Sequence, residues 1–295
     1  MKLTLWGTRG SLASAGPETV RYGGNTSCVE VRAADGSVLV LDAGTGMRRL
    51  GAALRGEGRR VDILLTHLHM DHIQGLGFFA PFFEPDREIH VWGPPSTTQA
   101  LRERLTRYLS PPLFPVRIRE LPCRLSLHDV PFEGFEIGPF RLNGALVCHP
   151  GPTVGYRVTA DGVTLAYLCD HEPALGLGRV PVAPDWVSGF ALAAGADVLI
   201  HDAQYSAAEY VDHVGWGHSA LTHTLAFATL AGVRCLVTFH HDPGHDDETL
   251  TRLLDEARAG AAFPFEIVPG TEGLSMELGD SATLGARLAD SRPAY

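Results

Sequence analysis

Apolar residues arrive in short, evenly spaced runs near the start of the chain. "KLTLWG", "SCVEVRA" and "SVLVLDAG" each alternate apolar and polar positions, or run apolar briefly and stop at turn formers. That is the signature of strands. "DGS", Asp35–Ser37, joins the second and third as a hairpin. A helix over Met47–Leu54 follows, then a strand "VDILLT". "GLGFFAPFF" reads as a helix or an apolar loop, and "EIHVWGP" as a strand. "STTQALRERLTRYL" reads as a helix with Ser96 or Thr97 as N-cap, a hydroxyl placed to satisfy the amides of a first turn. The prolines of Tyr108–Phe132 rule out a long helix. That segment reads as strands and loops covering one edge of a site. The second half predicts strands "FRLNGALVCH", "TVGYRVTA", "VTLAYLCD", "ADVLIHDA" and "RCLVTFHH", with helix "HTLAFATLAG" before the last. Two blocks of strands, each followed by helices, predict an α/β fold of two sheets flanked by helices.

Composition narrows the setting. The 295 residues carry 45% apolar side chains, enough for a proper core. No repeat or linker divides them, so residues 1–295 are expected to form a single domain. No run reaches the roughly 20 apolar residues of a membrane span, and "MKLTLWGTRGS" has too short an apolar stretch for a signal peptide. The five cysteines (Cys28, Cys123, Cys148, Cys169 and Cys235) are odd in number and scattered, without C-x-x-C. They fit a reduced cytoplasm and argue against a disulfide framework or a structural zinc. A formal net charge of −10 gives no general attraction to a polyphosphate, so long nucleic acid is not an expected partner. "RGEGRR", Arg55–Arg60, reads as a solvated turn. The aromatic stretch Gly77–Phe83 suggests a homodimer surface or a substrate wall.

Chemistry concentrates where "VDILL" ends. "LLTHLHMDHIQG", Leu64–Gly75, sets His67, His69, Asp71 and His72 within six positions, in a chain with 14 histidines. Imidazoles and a carboxylate are ligands of zinc and similar divalent ions. The spacing is not the i, i+4 of a helical site. In non-helical backbone His67 and His69 can converge on one ion while Asp71 and His72 reach a second, about 3.5–4 Å away. Four residues cannot complete two shells. Later strand ends supply candidates: His149 in "GALVCHPG", Asp170 in "TLAYLCDHE", His201 and Asp202 in "DVLIHDAQY", and His240 or His241 in "CLVTFHHDP". Strand alternation puts His240 with Leu236 and Thr238, and His241 with Val237 and Phe239, the pair suited to packing on helix "HTLAFATLAG".

With these residues in view the chain resembles the metallo-β-lactamase superfamily, a four-layer αββα sandwich of dinuclear metallohydrolases. The resemblance is to the branch with ribonuclease Z-type tRNA endonucleases and small phosphodiesterases. It rests on "LLTHLHMDHIQGL", "VCHPG" and "YLCD", and on the order of "HDAQY", "GWGHSA" and "VTFHH". The opening "LWGTRGS", "YGGNTSCVEV" and "LDAGTGMRRLG" supports it too. The resemblance implies that His67, His69 and His149 hold one metal and Asp71, His72 and His240 a second, with Asp170 bridging. It implies two divalent ions, zinc foremost with manganese or iron as alternatives, and a bridging water deprotonated near neutral pH. Asp71 would also orient the nucleophile, and His218 would donate to the substrate oxygen or the leaving group. Asp42 would fix a ligand imidazole, and Asp202 would do likewise for His218. Three features depart from the tRNA enzymes. The interval His72–His149 is apolar and proline-rich with no basic arm, the late pair is His201–Asp202 where His-Glu is usual, and the last strand ends in "HHDPGHDD".

The expected function is therefore a dinuclear phosphodiesterase acting on a small or nucleotide-like phosphodiester. The alternatives are a lactone, thioester or β-lactam hydrolase, a non-haem iron redox enzyme, and a non-catalytic metal-binding sensor.

Overall fold

Alternation in the opening run decides which side chains enter the core. In β1 (Lys2–Gly7) Leu3 and Leu5 are buried, while Lys2, Thr4 and Trp6 are less so. The computed structural model describes residues 1–173, 175 and 179–279, the side chain at 185 excepted, and the backbone of 285–288. β1, β2 (Cys28–Arg32) and β3 (Val38–Leu41) pair antiparallel, with the predicted turn at Asp35–Ser37 between the last two. β4 (Arg60–Leu64), β5 (Glu88–Gly93) and β6 (Arg124–Asp129) continue this sheet in parallel. A second sheet begins with β7 (Phe135–Ile137), β8 (Phe140–Leu146) and β9 (Val154–Ala160), and continues with β10 (Val163–Leu168), β11 (Val198–Asp202), β12 (Cys235–Phe239) and β13 (Glu266–Pro269). β14 (Leu274–Glu277) and β15 (Gly285–Leu288) return to the first, giving orders β15-β14-β1-β2-β3-β4-β5-β6 and β13-β12-β11-β10-β9-β8-β7.

The sheets face each other across one apolar layer in which Leu3, Leu5, Val29, Leu41, Tyr156, Tyr167, Val237 and Phe239 are buried together. α1 (Met47–Ala53), α2 (Met70–Ile73) and α3 (Leu101–Thr106) belong to the first half. α4 (Phe190–Ala193), α5 (Ala207–Tyr210), α6 (Leu221–Ala231) and α7 (Asp247–Gly260) belong to the second. Met47, Leu50, Leu101 and Leu105 cover the outer face of the first sheet, and Leu192, Leu225, Ala228 and Leu254 that of the second. The result is the four-layer αββα sandwich. β3 to β6 run parallel in one sheet and β10 to β13 in the other. Loops at the carboxyl ends of parallel strands are the ordinary place for a site in such sheets.

Some expectations change. α3 begins after Ala100, not at Ser96 or Thr97. The Ser96 hydroxyl instead accepts the amides of Thr98 and Gln99, at 3.3 Å each, and so holds a local turn that competes with helix. "GLGFFAPFF" forms two 3-10 turns that bury Phe79 and Phe82 and leave Phe78 and Phe83 exposed. In β12 the faces are reversed. Val237 and Phe239 enter the layer between the sheets, and Leu236 meets the helices.

Candidate metal centre

β4 ends at Leu64, and extended backbone carries His67 and His69 out of the sheet, with His69 the N-cap of α2. Asp71 and His72 lie in that short helix rather than in the non-helical backbone expected from their spacing. Their side chains come together. His72 Nε2 and Asp71 Oδ2 are 3.2 Å apart. His149 sits in the turn after β8, Asp170 two residues beyond β10, and His240 one residue beyond β12.

Asp170 organises what these segments bring together. Its Oδ2 lies 3.6 Å from His67 Nε2 and 3.7 Å from His149 Nε2. His149 Nε2 is in turn 3.3 Å from His69 Nδ1. Asp170 Oδ1 lies 3.1 Å from His72 Nε2 and 3.3 Å from His240 Nε2. Asp71 Oδ2 is 3.2 Å from His240 Nε2 and accepts the Ser11 amide at 2.7 Å. One carboxylate thus faces two nitrogen-rich groups with separate oxygens. His67 Nε2, His72 Nε2 and Asp170 Oδ1 are buried without a hydrogen-bond partner. Buried polar atoms are nearly always satisfied, so orphaned lone pairs converging from several segments fit metal ions. Cys169 also lies near the His72 group, and burial first and then Asp170 push its thiol up.

The outward nitrogens are anchored, which fixes the imidazole tautomers. His72 Nδ1 donates to Asp42 at 2.8 Å, and His67 Nδ1 to the Thr66 hydroxyl at 3.0 Å. Thr66 in turn donates its amide and hydroxyl to Asp42. His149 Nδ1 donates to the Gly217 carbonyl at 3.0 Å, and His240 Nδ1 faces the Gln204 amide oxygen at 2.9 Å. Each partner leaves the inward nitrogen of its ring facing the site, where a cation can take the place of a proton. Asp42 was legible in "LDAG". Thr66, Gln204 and Gly217 were missed, because their role is set by contacts between distant segments. Each stood inside a quoted segment, Thr66 in "LLTHLHMDHIQG", Gln204 in "HDAQY" and Gly217 in "GWGHSA", and that was the signal available.

Residues 38–241 match the family model described as the beta-lactamase superfamily domain. The chain belongs to the metallo-β-lactamase superfamily. It is a metal-dependent hydrolase. A ribonuclease Z from Myxococcus xanthus (strain DK1622) is 30% identical over 312 residues, covering 94% of this chain and 98% of the relative. The crystal structure of the metallo-beta-lactamase fold protein YhfI from Bacillus subtilis superposes with a TM-score of 0.68 at 19% identity, over 94% of this chain and 99% of that one. That of the short form of human tRNase Z gives 0.64 at 21%, also over 94% and 99%.

Within this superfamily fold the remaining candidates separate. His218 is buried, stacks on His240 with ring centroids 4.9 Å apart, and donates from Nδ1 to Asp202 Oδ2 at 2.7 Å. Burial pulls its pKa down, but Asp202 and then Asp170 and Asp71 outweigh that and hold it up at about 9. His72 behaves alike: burial opposes its charge, yet Asp170, Asp71 and Asp42 raise it well above the ordinary value. His67, buried among other imidazoles, is pushed well below. His201 stays out of the clusters. Its Nδ1 donates to the Asp202 carbonyl, its Nε2 meets His171 at 2.9 Å, and burial lowers it to about 4.

β12 ends at Phe239, so alternation does not carry through to His240. His240 takes φ +57°, a left-handed turn that costs a non-glycine residue roughly 1–2 kcal/mol. The segment after β1 imposes it. The His241 amide donates to the Thr8 carbonyl at 3.0 Å, and the Gly10 amide to the His241 carbonyl at 2.9 Å. His241 points elsewhere, donating from Nε2 to the Gly270 carbonyl at 2.8 Å.

Proposed function

We propose that this chain is a dinuclear metal-dependent phosphodiesterase acting on a small or nucleotide-like phosphodiester, with residues 1–295 as one domain. The observation that carries the reading is Asp170, one buried carboxylate whose two oxygens face two separate imidazole groups. His67, His69 and His149 would hold one divalent ion and Asp71, His72 and His240 the other, with Asp170 between them. Zinc suits this donor set, and manganese or iron can also use it. When bound, such a pair of ions activates water and neutralises charge on attacking and leaving oxygens, which suits phosphorus.

The chain's own groups do the rest. Asp71, fixed by the Ser11 amide, orients the attacking water. Asp202 holds His218 charged, and His218 passes its proton to the leaving oxygen. Arg9, the cation in "LWGTRGS", is buried and donates from Nε and Nη1 to the carbonyls of Gly23, Asp242 and His245. Next to site residues stand exposed apolar side chains instead: Leu12 beside Ser11, Met70 beside Asp71 and Trp216 beside Gly217, with 65%, 49% and 60% exposure. Exposed apolar neighbours of this kind, with the net charge of −10, favour a short apolar or aromatic ester over a polyphosphate. Near full-length similarity to the Myxococcus ribonuclease Z favours a second reading, a ribonuclease using the same groups. The test is turnover of an aryl phosphodiester, a structured RNA, a lactone and a β-lactam by metal-loaded protein, with and without chelator. Chelator-sensitive turnover highest on the aryl diester is expected. Preference for RNA would install the second reading, and preference for the lactone or β-lactam would overturn both.

A further inference from the structure

Two residues beyond Asp170 the chain buries a second carboxylate that the proposed chemistry does not use. Glu172 is 1% exposed. A carboxylate survives burial where donors replace its water, and here the donors come from the end of α5 and the loop that follows it. Tyr210 Oη donates to Oε1 at 2.7 Å, the Gly215 amide to Oε1 at 2.9 Å, and the Gly217 amide to Oε2 at 2.8 Å. Gly215 and Gly217 have φ of +88° and +89°, a backbone open to glycine. It turns alternate amides onto one anion, as in the concave arrangements that bind anions.

The same loop supports the metal centre. The Gly217 carbonyl is the acceptor for His149 Nδ1, and His218 follows directly in the chain. The fit is tight: a Cβ on Gly217 would come within 2.2 Å of His149 Nδ1. Glu172 holds the other partner as well, since its own amide donates at 2.9 Å to the carbonyl of Cys148, the residue before His149.

We propose that Glu172 is a positioning residue. Its carboxylate sets the 215–217 backbone, that backbone presents the Gly217 carbonyl to His149, and the carbonyl keeps His149 Nε2 unprotonated and aimed beside Asp170. This rests on the reading of His149 as a ligand of one of two ions. Glu172→Gln is nearly isosteric and turns one acceptor into a donor facing N–H groups that cannot reverse.

The experiment titrates metal-free wild type, Glu172→Gln and His149→Ala with zinc, and compares melting temperatures with and without zinc. Wild type is expected to bind two equivalents. Glu172→Gln is expected to weaken one of them about 10- to 100-fold, the usual scale for a group behind a ligand, to leave the other unchanged, and to shrink the zinc-induced rise in Tm. A purely structural role would lower both melting temperatures together and leave zinc affinity as in wild type. That result overturns the proposal. If His149→Ala also binds both equivalents normally, the ligand assignment falls instead. Should Glu172→Gln not fold, Glu172→Asp carries the test, because it keeps the charge but draws it back by one methylene. The same selective loss supports the proposal, and wild-type affinity rejects it.

Discussion

Asp42→Asn separates a structural role for that carboxylate from a chemical one. Asp42 is fully buried and takes four donors: the Thr66 amide on Oδ1 at 2.7 Å, the Thr66 hydroxyl at 3.0 Å, the Tyr167 hydroxyl on Oδ2 at 2.9 Å, and His72 Nδ1 on Oδ2 at 2.8 Å. Its φ is +58°, a region asparagine tolerates, so the substitution adds no backbone strain. The new amide has one oxygen, and the Thr66 N–H cannot reverse. The oxygen must therefore stay at the Oδ1 position, and the NH2 must face Tyr167 and His72. Tyr167 can rotate its hydroxyl to accept. His72 can accept only by giving up the proton on Nδ1 and keeping one on Nε2, which points at Asp170 Oδ1 3.1 Å away. The metal-free protein thus keeps its contacts but loses the charge behind them, roughly 1–2 kcal/mol. Nε2, however, is the atom assigned to the metal, and in the variant it must keep its proton. Affinity for the ion on the His72 side should fall about 10–100-fold, or about 1.4–2.8 kcal/mol. Zinc titration of the chelator-stripped protein measures this, and nitrogen NMR of the imidazoles reports the tautomer. Two equivalents bound with wild-type affinity, or a His72 that still carries its proton on Nδ1, would refute the reasoning.

Other perturbations probe neighbouring parts of the site. His218→Ala should keep both metals and lose roughly 10²–10⁴ in turnover; loss of metal in an elemental assay would mark it as a ligand instead. His218 is held up at about 9, so its charged form, present at lower pH, disappears as pH rises through that value. The alkaline limb of the rate profile should therefore move to lower pH in Asp202→Asn, and an unmoved limb assigns it to another group. His240→Ala should strip one metal. His241→Ala should keep both and cost about 1–3 kcal/mol in a denaturant melt, because the Gly270 carbonyl loses its donor; the reverse pattern would show the two histidines exchanged. Asp170→Ala should lose more metal than any single histidine substitution, and retention of one full equivalent would contradict its shared position.

The local signals were legible because they depend on neighbours in sequence. Alternation in "KLTLWG" is the burial of Leu3 and Leu5, and the apolar run before His67 is β4. The histidine string needed no tertiary information to be seen as a ligand source, since its residue types have few other uses in such density. "STTQ" was misread because the Ser96 side chain bonds its own backbone, a choice that propensity does not reveal. α7 went unread although Asp246 caps it by accepting the Thr249 amide at 2.7 Å. His240 shows the division most clearly. Strand alternation pointed to it over His241, yet the strand stops one residue short, and the residue that faces Asp71 and Asp170 does so from a left-handed backbone. That conformation is held by pairing with Thr8 and Gly10, more than 200 residues away in sequence. The sequence by itself determined which side chains could bind metal and that strands would deliver them. Only the tertiary structure decided which nitrogen of each imidazole faces inward, because that depends on Asp42, Thr66, Gln204 and Gly217 arriving from other segments to take the opposite nitrogen.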